Sequence, residues 1–255
     1  MQDSIIYFFL FISGLSLGSF LNVLVYRLPN NISLSNPPST CPKCNNQLKW
    51  YHNIPVFSWI FLKGKCGFCK ENISIQYPII ELISGLLIIF IHWFNINYMH
   101  ISFIQSMGLY IIFYLYLAMT LIDYKTHLVP DILNYPAAIL SIFIFSSSLT
   151  AIFNTFILWS VVGLFFYFII IKLYSKLRGI QVLGEGDIPI LMGMAALLGL
   201  KGFLIGILIS CIIGTIFYLF SKNKEIPFVP SLSIATFITL ILIYTINILD
   251  IYTKI

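Results

Sequence analysis

FLIGILISCIIGTIFYLF, residues 203–220, runs for eighteen residues without a charge. A helix rises about 1.5 Å per residue, so about 20 such residues cross the ~30 Å hydrocarbon core of a bilayer. The same texture recurs on both sides of this stretch. Apolar spans fall at roughly 4–26, 78–94, 101–122, 132–149, 152–171, 188–200, 203–220 and 229–249, which makes eight. The sixth is short, and Gly199, Lys201 and Gly202 mark its end. Over all 255 residues, 59% are hydrophobic and 9% charged, against about 25% charged in soluble domains. Mean hydropathy is +0.96. So few charges cannot solvate the surface of a chain this long. The composition excludes a disordered chain, a coiled coil, a secreted disulfide scaffold and a free-standing nucleic-acid binder. It specifies an all-α polytopic membrane protein with about eight transmembrane helices in the lipid bilayer.

The one long polar stretch is 27–77, and the partition that follows is a first helix at 1–26, a loop domain at 27–77 and a multi-helix membrane domain at 78–255. The first span does not read as a cleaved signal peptide. No Lys or Arg precedes it, and it is longer than a signal's apolar region. Cytoplasmic loops collect Lys and Arg. With eight spans, the stretches 27–77, 123–131, 172–187 and 221–226 share one side and hold twelve of the fourteen basic residues. Only Lys201 and Lys254 remain for the other side. This bias predicts a cytoplasmic loop domain and both termini outside.

Cys41-Pro-Lys-Cys44 and Cys66-Gly-Phe-Cys69 are two CxxC pairs separated by 21 residues. Two thiolate pairs on tight turns supply a tetrahedral S4 site, the geometry of structural zinc. Four thiolates leave no open position, so such a metal would not be catalytic. Disulfides are the competing reading, and a reduced cytoplasmic loop disfavours them. Cys211 stands alone in an apolar span and reads as core.

Nine acids are few enough to take singly. Asp123 ends the apolar run from Leu115 to Ile122, and Asp187 opens the sixth span after Gly184-Glu185-Gly186. The topology puts both at the cytoplasmic face. Acids at membrane depth are costly and are functional candidates by default. The neighbouring glycines permit unusual backbone and close approach. Asp131, after Pro130, suits the positive end of a helix dipole. Glu81 lies just inside the second span, either as a third functional acid or as a partner for a loop lysine.

Gly184-Glu185-Gly186-Asp187 is a GxGD tetrapeptide at the start of a membrane helix. With Gly18-Ser19-Phe20-Leu21-Asn22, the cysteine loop, Tyr77-Pro78-Ile79-Ile80-Glu81-Leu82, Leu128-Val129-Pro130-Asp131 and Ile226-Pro227-Phe228-Val229-Pro230, the chain resembles the prepilin peptidase family, the type IV leader peptidases. These matches run from about residue 18 to residue 231 in family order. Lys125 stands where many members have a second acid, and Val229 where glycine is usual. The resemblance implies a bacterial inner-membrane aspartic endopeptidase that removes the short basic leader of type IV prepilins and pseudopilins. It carries the catalytic pair to Asp123 and Asp187, with Gly184, Glu185 and Gly186 as supporting residues. It also implies methylation of the new N-terminus with S-adenosylmethionine, for which Glu81 is the candidate residue. Two other classes remain to be weighed. A transporter would use Asp123 and Asp187 as a proton relay, but transporters set their acids near the midplane between inverted repeats. A scaffold docking a partner through the cysteine loop would leave the aspartates idle.

Overall fold

A computed structural model describes residues 2–146, 148–179, 183–220 and 227–252, and these form helices and turns with only isolated β-bridges. The turn 221–226 and Ile226 of the late motif lie outside the described residues. Among the described residues, six helical stretches are long and apolar enough to cross a bilayer, and Asp131–Ile144 is a shorter apolar helix. The chain is therefore a multi-pass membrane protein.

By packing, the chain divides into two units, 1–94 and 95–255. In the first, α1 (Gln2–Arg27) pairs with α3 (Gln76–Phe94), and the polar stretch between them carries the short helix α2 (Phe57–Phe61). Apolar side chains gain little by leaving lipid, so membrane helices associate where small residues let backbones touch. Gly14 and Gly18 form such a GxxxG stripe. A Cβ on Gly14 would stand 2.7 Å from the Gly85 Cα, and one on Gly18 2.6 Å from the Glu81 Cα. Asn22 Nδ2 adds a hydrogen bond to the Tyr77 carbonyl at 3.2 Å. At the end of α1, the buried Arg27 donates to the carbonyls of Ser33, Leu34 and Pro37 and so folds the following loop around itself.

The second unit contains α4 (Phe103–Thr126), α5 (Asp131–Ile144), α6 (Leu149–Leu164), the one-turn α7 (Ser175–Arg178), α8 (Asp187–Phe220) and α9 (Phe228–Tyr252). Helix α6 runs on as π-helical turns through Phe165–Tyr174. Helix α8 packs on α5, α6 and α9, and α4 packs on α5 and α9. Helix α8 is broken at Gly199, whose φ of 65° and ψ of 176° are not helical. A Cβ on Gly206 would collide with the Met194 side chain. Twelve residues of straight helix would separate those positions by about 18 Å. The segments 187–198 and 200–220 therefore fold back on one another as a hairpin, with the break at the glycine that ends the short sixth span. With this break the helical segments match the eight spans of the sequence. An L side chain at position 199 would be strained by the positive φ.

Candidate active site

Asp123 lies in the last turn of α4, which His127 ends in a left-handed conformation (φ 53°) with its N–H on the Asp123 carbonyl at 2.9 Å. The carboxylate is buried at 5% exposure. Its Oδ2 accepts the backbone N–H of Val229 at 3.1 Å. Val229 is in the first turn of α9, where no earlier helical carbonyl is available to that N–H. The prolines at 227 and 230 fit this helix start, since proline needs no partner there.

Asp187 is the first residue of α8 and is also buried. Its Oδ2 accepts the N–H of Gly184 at 3.2 Å, while its own N–H reaches the Gly184 carbonyl at 3.1 Å. The two glycines of the tetrapeptide are explained by space, since neither has a positive φ. A Cβ on Gly184 would press on Asp187 Oδ2 at 3.3 Å, and one on Gly186 would lie 2.9 Å from the Val129 Cβ. Asn134, fully buried in α5, donates from Nδ2 to the Gly186 carbonyl at 2.6 Å.

Both aspartates line one cavity of about 780 Å³. Its wall also includes Asp131, Glu185, His127 and, from the second arm of α8, Ser210. The charge of Asp123 acts on Asp187. Each aspartate has one oxygen pinned by a backbone N–H. Asp131, read from sequence as a helix-end charge, also lines the cavity. Sequence reading missed Val229 and Asn134. The signal for Val229 was a helix start flanked by prolines. For Asn134 it was an amide on an apolar helix face, beside Leu133, Ala137 and Ala138.

The cysteines gather within the first unit. The Sγ atoms of Cys41, Cys44, Cys66 and Cys69 all lie within 4.8 Å of one another, and Cys41 to Cys69 is 3.9 Å. A tetrahedron of thiolates with metal–sulfur bonds of about 2.3 Å has edges of about 3.8 Å. The four residues can therefore hold a metal ion, whereas a disulfide would need about 2.05 Å. The two halves are built alike, a repeat hidden from sequence because little beyond the cysteines is shared. Cys41 N–H bonds the Asn46 carbonyl and Asn45 N–H the Cys41 carbonyl; Cys66 with Glu71 and Lys70 with Cys66 do the same. Asn45 and Lys70 both take positive φ, and the bridges Thr40 to Gln47 and Lys65 to Asn72 close the turns. Backbone N–H groups of Cys69 and Phe68 at its sulfur bring the Cys66 thiol down to about 7.

Glu81 does not meet a loop lysine. Its Oε2 accepts the N–H of Val56 at 2.6 Å, and the Ser19 side chain bonds it as well. Val56 has φ 63° and ψ −53°, an uncommon backbone conformation for a β-branched residue. It centres a γ-turn in which Phe57 N–H reaches the Pro55 carbonyl at 2.6 Å. Such turns are rare and strained and need support from their surroundings. Among the described residues no ion pair neutralises Glu81. A buried carboxyl of this kind is a group that a cationic ligand can pair with.

Comparison with known proteins agrees in extent. Residues 12–95 match the model of the bacterial peptidase A24 N-terminal domain, and residues 110–219 match that of the type IV leader peptidase family. A Prepilin leader peptidase/N-methyltransferase of Vibrio cholerae serotype O1 is 35% identical over 251 residues, covering 90% of this chain and 94% of that protein. One from Xanthomonas campestris is 33% identical over 253 residues, covering 87% and 86%. One from Myxococcus xanthus is 49% identical over 79 residues, 31% of this chain and 24% of that protein. No solved structure matches.

Proposed function

The chain belongs to the type IV leader peptidase family, and from that premise we propose that it is an aspartic endopeptidase of the bacterial inner membrane. It cleaves the short basic leader from type IV prepilins and pseudopilins at the cytoplasmic face. The observation that carries this reading is the shared cavity in which Asp123 and Asp187 each keep one oxygen for the substrate. Two close carboxyls cannot both ionise cheaply, so they share a proton. The ionised one takes a proton from water, and the protonated one donates to the scissile carbonyl as the water attacks. As the C–N bond breaks, the proton taken from water passes to the departing amine and a hydroxyl of the intermediate returns the other proton to its aspartate; the pair titrates as a unit. The substrate suits the position. Its basic leader is cytoplasmic and its apolar helix lies in the bilayer, so the scissile bond falls at the interface.

Asp131 and Glu185, exposed on the same cavity, serve as acids that attract the leader. Asp131→Asn and Glu185→Gln should each raise KM for a basic leader by about two- to fivefold, the range of an exposed charge pair. The effect should shrink in high salt, with kcat retained. KM values that are unchanged at low salt would remove this role.

The four cysteines hold a structural zinc. In the first unit, Glu81 and the loop 27–77 serve methyl transfer from S-adenosylmethionine, which supplies an electrophilic methyl group to the new N-terminal amine. Glu81 holds the γ-turn at Val56 and places a buried carboxyl beside the polar stretch. Co-expression with a type IV prepilin, read by mass spectrometry of the pilin N-terminus, tests both activities. Wild type should give cleaved and methylated pilin, and Glu81→Ala cleaved but unmethylated pilin. Uncleaved pilin with wild type rejects the peptidase reading; methylated pilin with Glu81→Ala rejects the role of Glu81.

A further inference from the structure

We propose that Asn134 is a positioning residue for the aspartate site. It holds the carbonyl of Gly186 and thereby fixes the turn that carries Asp187. The inference rests on the two-aspartate reading and adds a residue to it.

Asn134 has no exposed surface and packs among the apolar positions of α5. Its Nδ2 reaches the Gly186 carbonyl at 2.6 Å, across 52 residues of sequence. The orientation of the amide is forced, because turning it would set Oδ1 against a carbonyl oxygen. Among the described residues Oδ1 has no hydrogen-bond partner in this arrangement. Burying an amide with its acceptor unmatched costs free energy that a leucine of similar size would not incur. Stability of α5 alone therefore argues against asparagine here. What the residue provides is one bond, to the peptide that precedes Asp187.

That bond acts where the turn has little other support. Gly184 and Glu185 are exposed. The hydrogen bonds of Gly184 with Asp187 close the turn on itself and do not tie it to another helix. A Cβ on Gly186 would meet Val129, and the Gly186 carbonyl accepts from Asn134 of α5. Asp123, by contrast, is held by Val229 of a different helix. Without Asn134, the turn that precedes Asp187 loses its side-chain hydrogen bond to another helix and is placed by van der Waals packing alone, that of α8 and of Val129. A misplacement of about 1 Å in a catalytic constellation costs on the order of 10²-fold in rate.

The test uses purified full-length protein and full-length prepilin, with wild type in parallel. Asn134→Leu should lower kcat by about ten- to a hundredfold and leave KM within about twofold. Asn134 does not contact the substrate, and the apolar branch leaves the Gly186 carbonyl free to move. The pH profile of kcat should also shift. It is set by Asp123 and Asp187 together with Asp131, Glu185 and His127 around the cavity, and their spacing changes. A mere loss of folded protein would scale the profile without moving it. If Asn134→Leu does not fold, Asn134→Ala removes the same donor with no added bulk and is read in the same way. A kcat near wild type, a loss confined to KM, or a reduced rate with an unmoved pH profile overturns the proposal. Failure of wild type to cleave any prepilin would instead count against the peptidase reading.

Discussion

Asp123→Asn and Asp187→Asn should each abolish leader cleavage, with losses of about 10³-fold or more, since each removes an acid–base group worth roughly 10²–10⁴-fold together with the proton its partner shares. An amide cannot take a proton from water at neutral pH. The fold should tolerate both changes. The asparagine carbonyl can still accept the N–H of Val229 at position 123, or that of Gly184 at position 187. Protein yield and metal content should therefore match wild type. The double variant should be no worse than either single, because the two act as one unit. Quantitative mass spectrometry of the pilin N-terminus over a time course gives the rates. Near wild-type processing by either single variant would refute the two-aspartate mechanism.

Replacing Cys44 and Cys66 together with serine should strip the metal from the loop and unfold residues 41–69 locally. Apparent binding energies at structural zinc sites run to about 10–16 kcal/mol, and that energy is folding energy. The two knuckles have little else to hold them. Their bridges are single antiparallel pairs, to which His52 adds a ring contact with Phe68 and Trp59 a hydrogen bond from Nε1 to the Ile73 carbonyl. Wild type should carry about one zinc per chain by elemental analysis. The double variant should carry none and be cut by protease within the loop. Cleavage of prepilin should fall less than loop stability, since both aspartates lie in the second unit. Full zinc content in the variant would reject the four-cysteine site.

Glu81 shows how far a sequence can lead before packing is needed. Its depth near a membrane face was legible from the span boundaries, and so was its isolation among apolar neighbours. Its partner was not, because Val56 belongs to a loop whose path no periodicity describes. The glycines of the tetrapeptide are similar. Their presence marked a special turn, but two causes were open, left-handed backbone or close approach. Packing against Val129 and the Asp187 carboxylate makes it close approach. Asp131 carried a sound local explanation at a helix start, and only the path of the chain brings it to the cavity wall.

By itself the sequence determined the all-helical membrane fold, the division into eight spans, the four-cysteine cluster and the two aspartates at helix ends. Each of these rests on local chemistry. Apolar length, CxxC spacing and a charge beside a bilayer are costs or gains settled within a few turns of chain. Tertiary structure alone decided how the aspartates are held: Asp123 by an N–H 106 residues away, and Asp187 through a carbonyl bonded by Asn134 52 residues away. It also decided that α1 and α3 approach at Gly14 and Gly18 and that Glu81 holds a strained turn. These are hydrogen bonds and backbone contacts between segments distant in sequence. Their partners are chosen by the way helices pack, which no pattern along one helix contains.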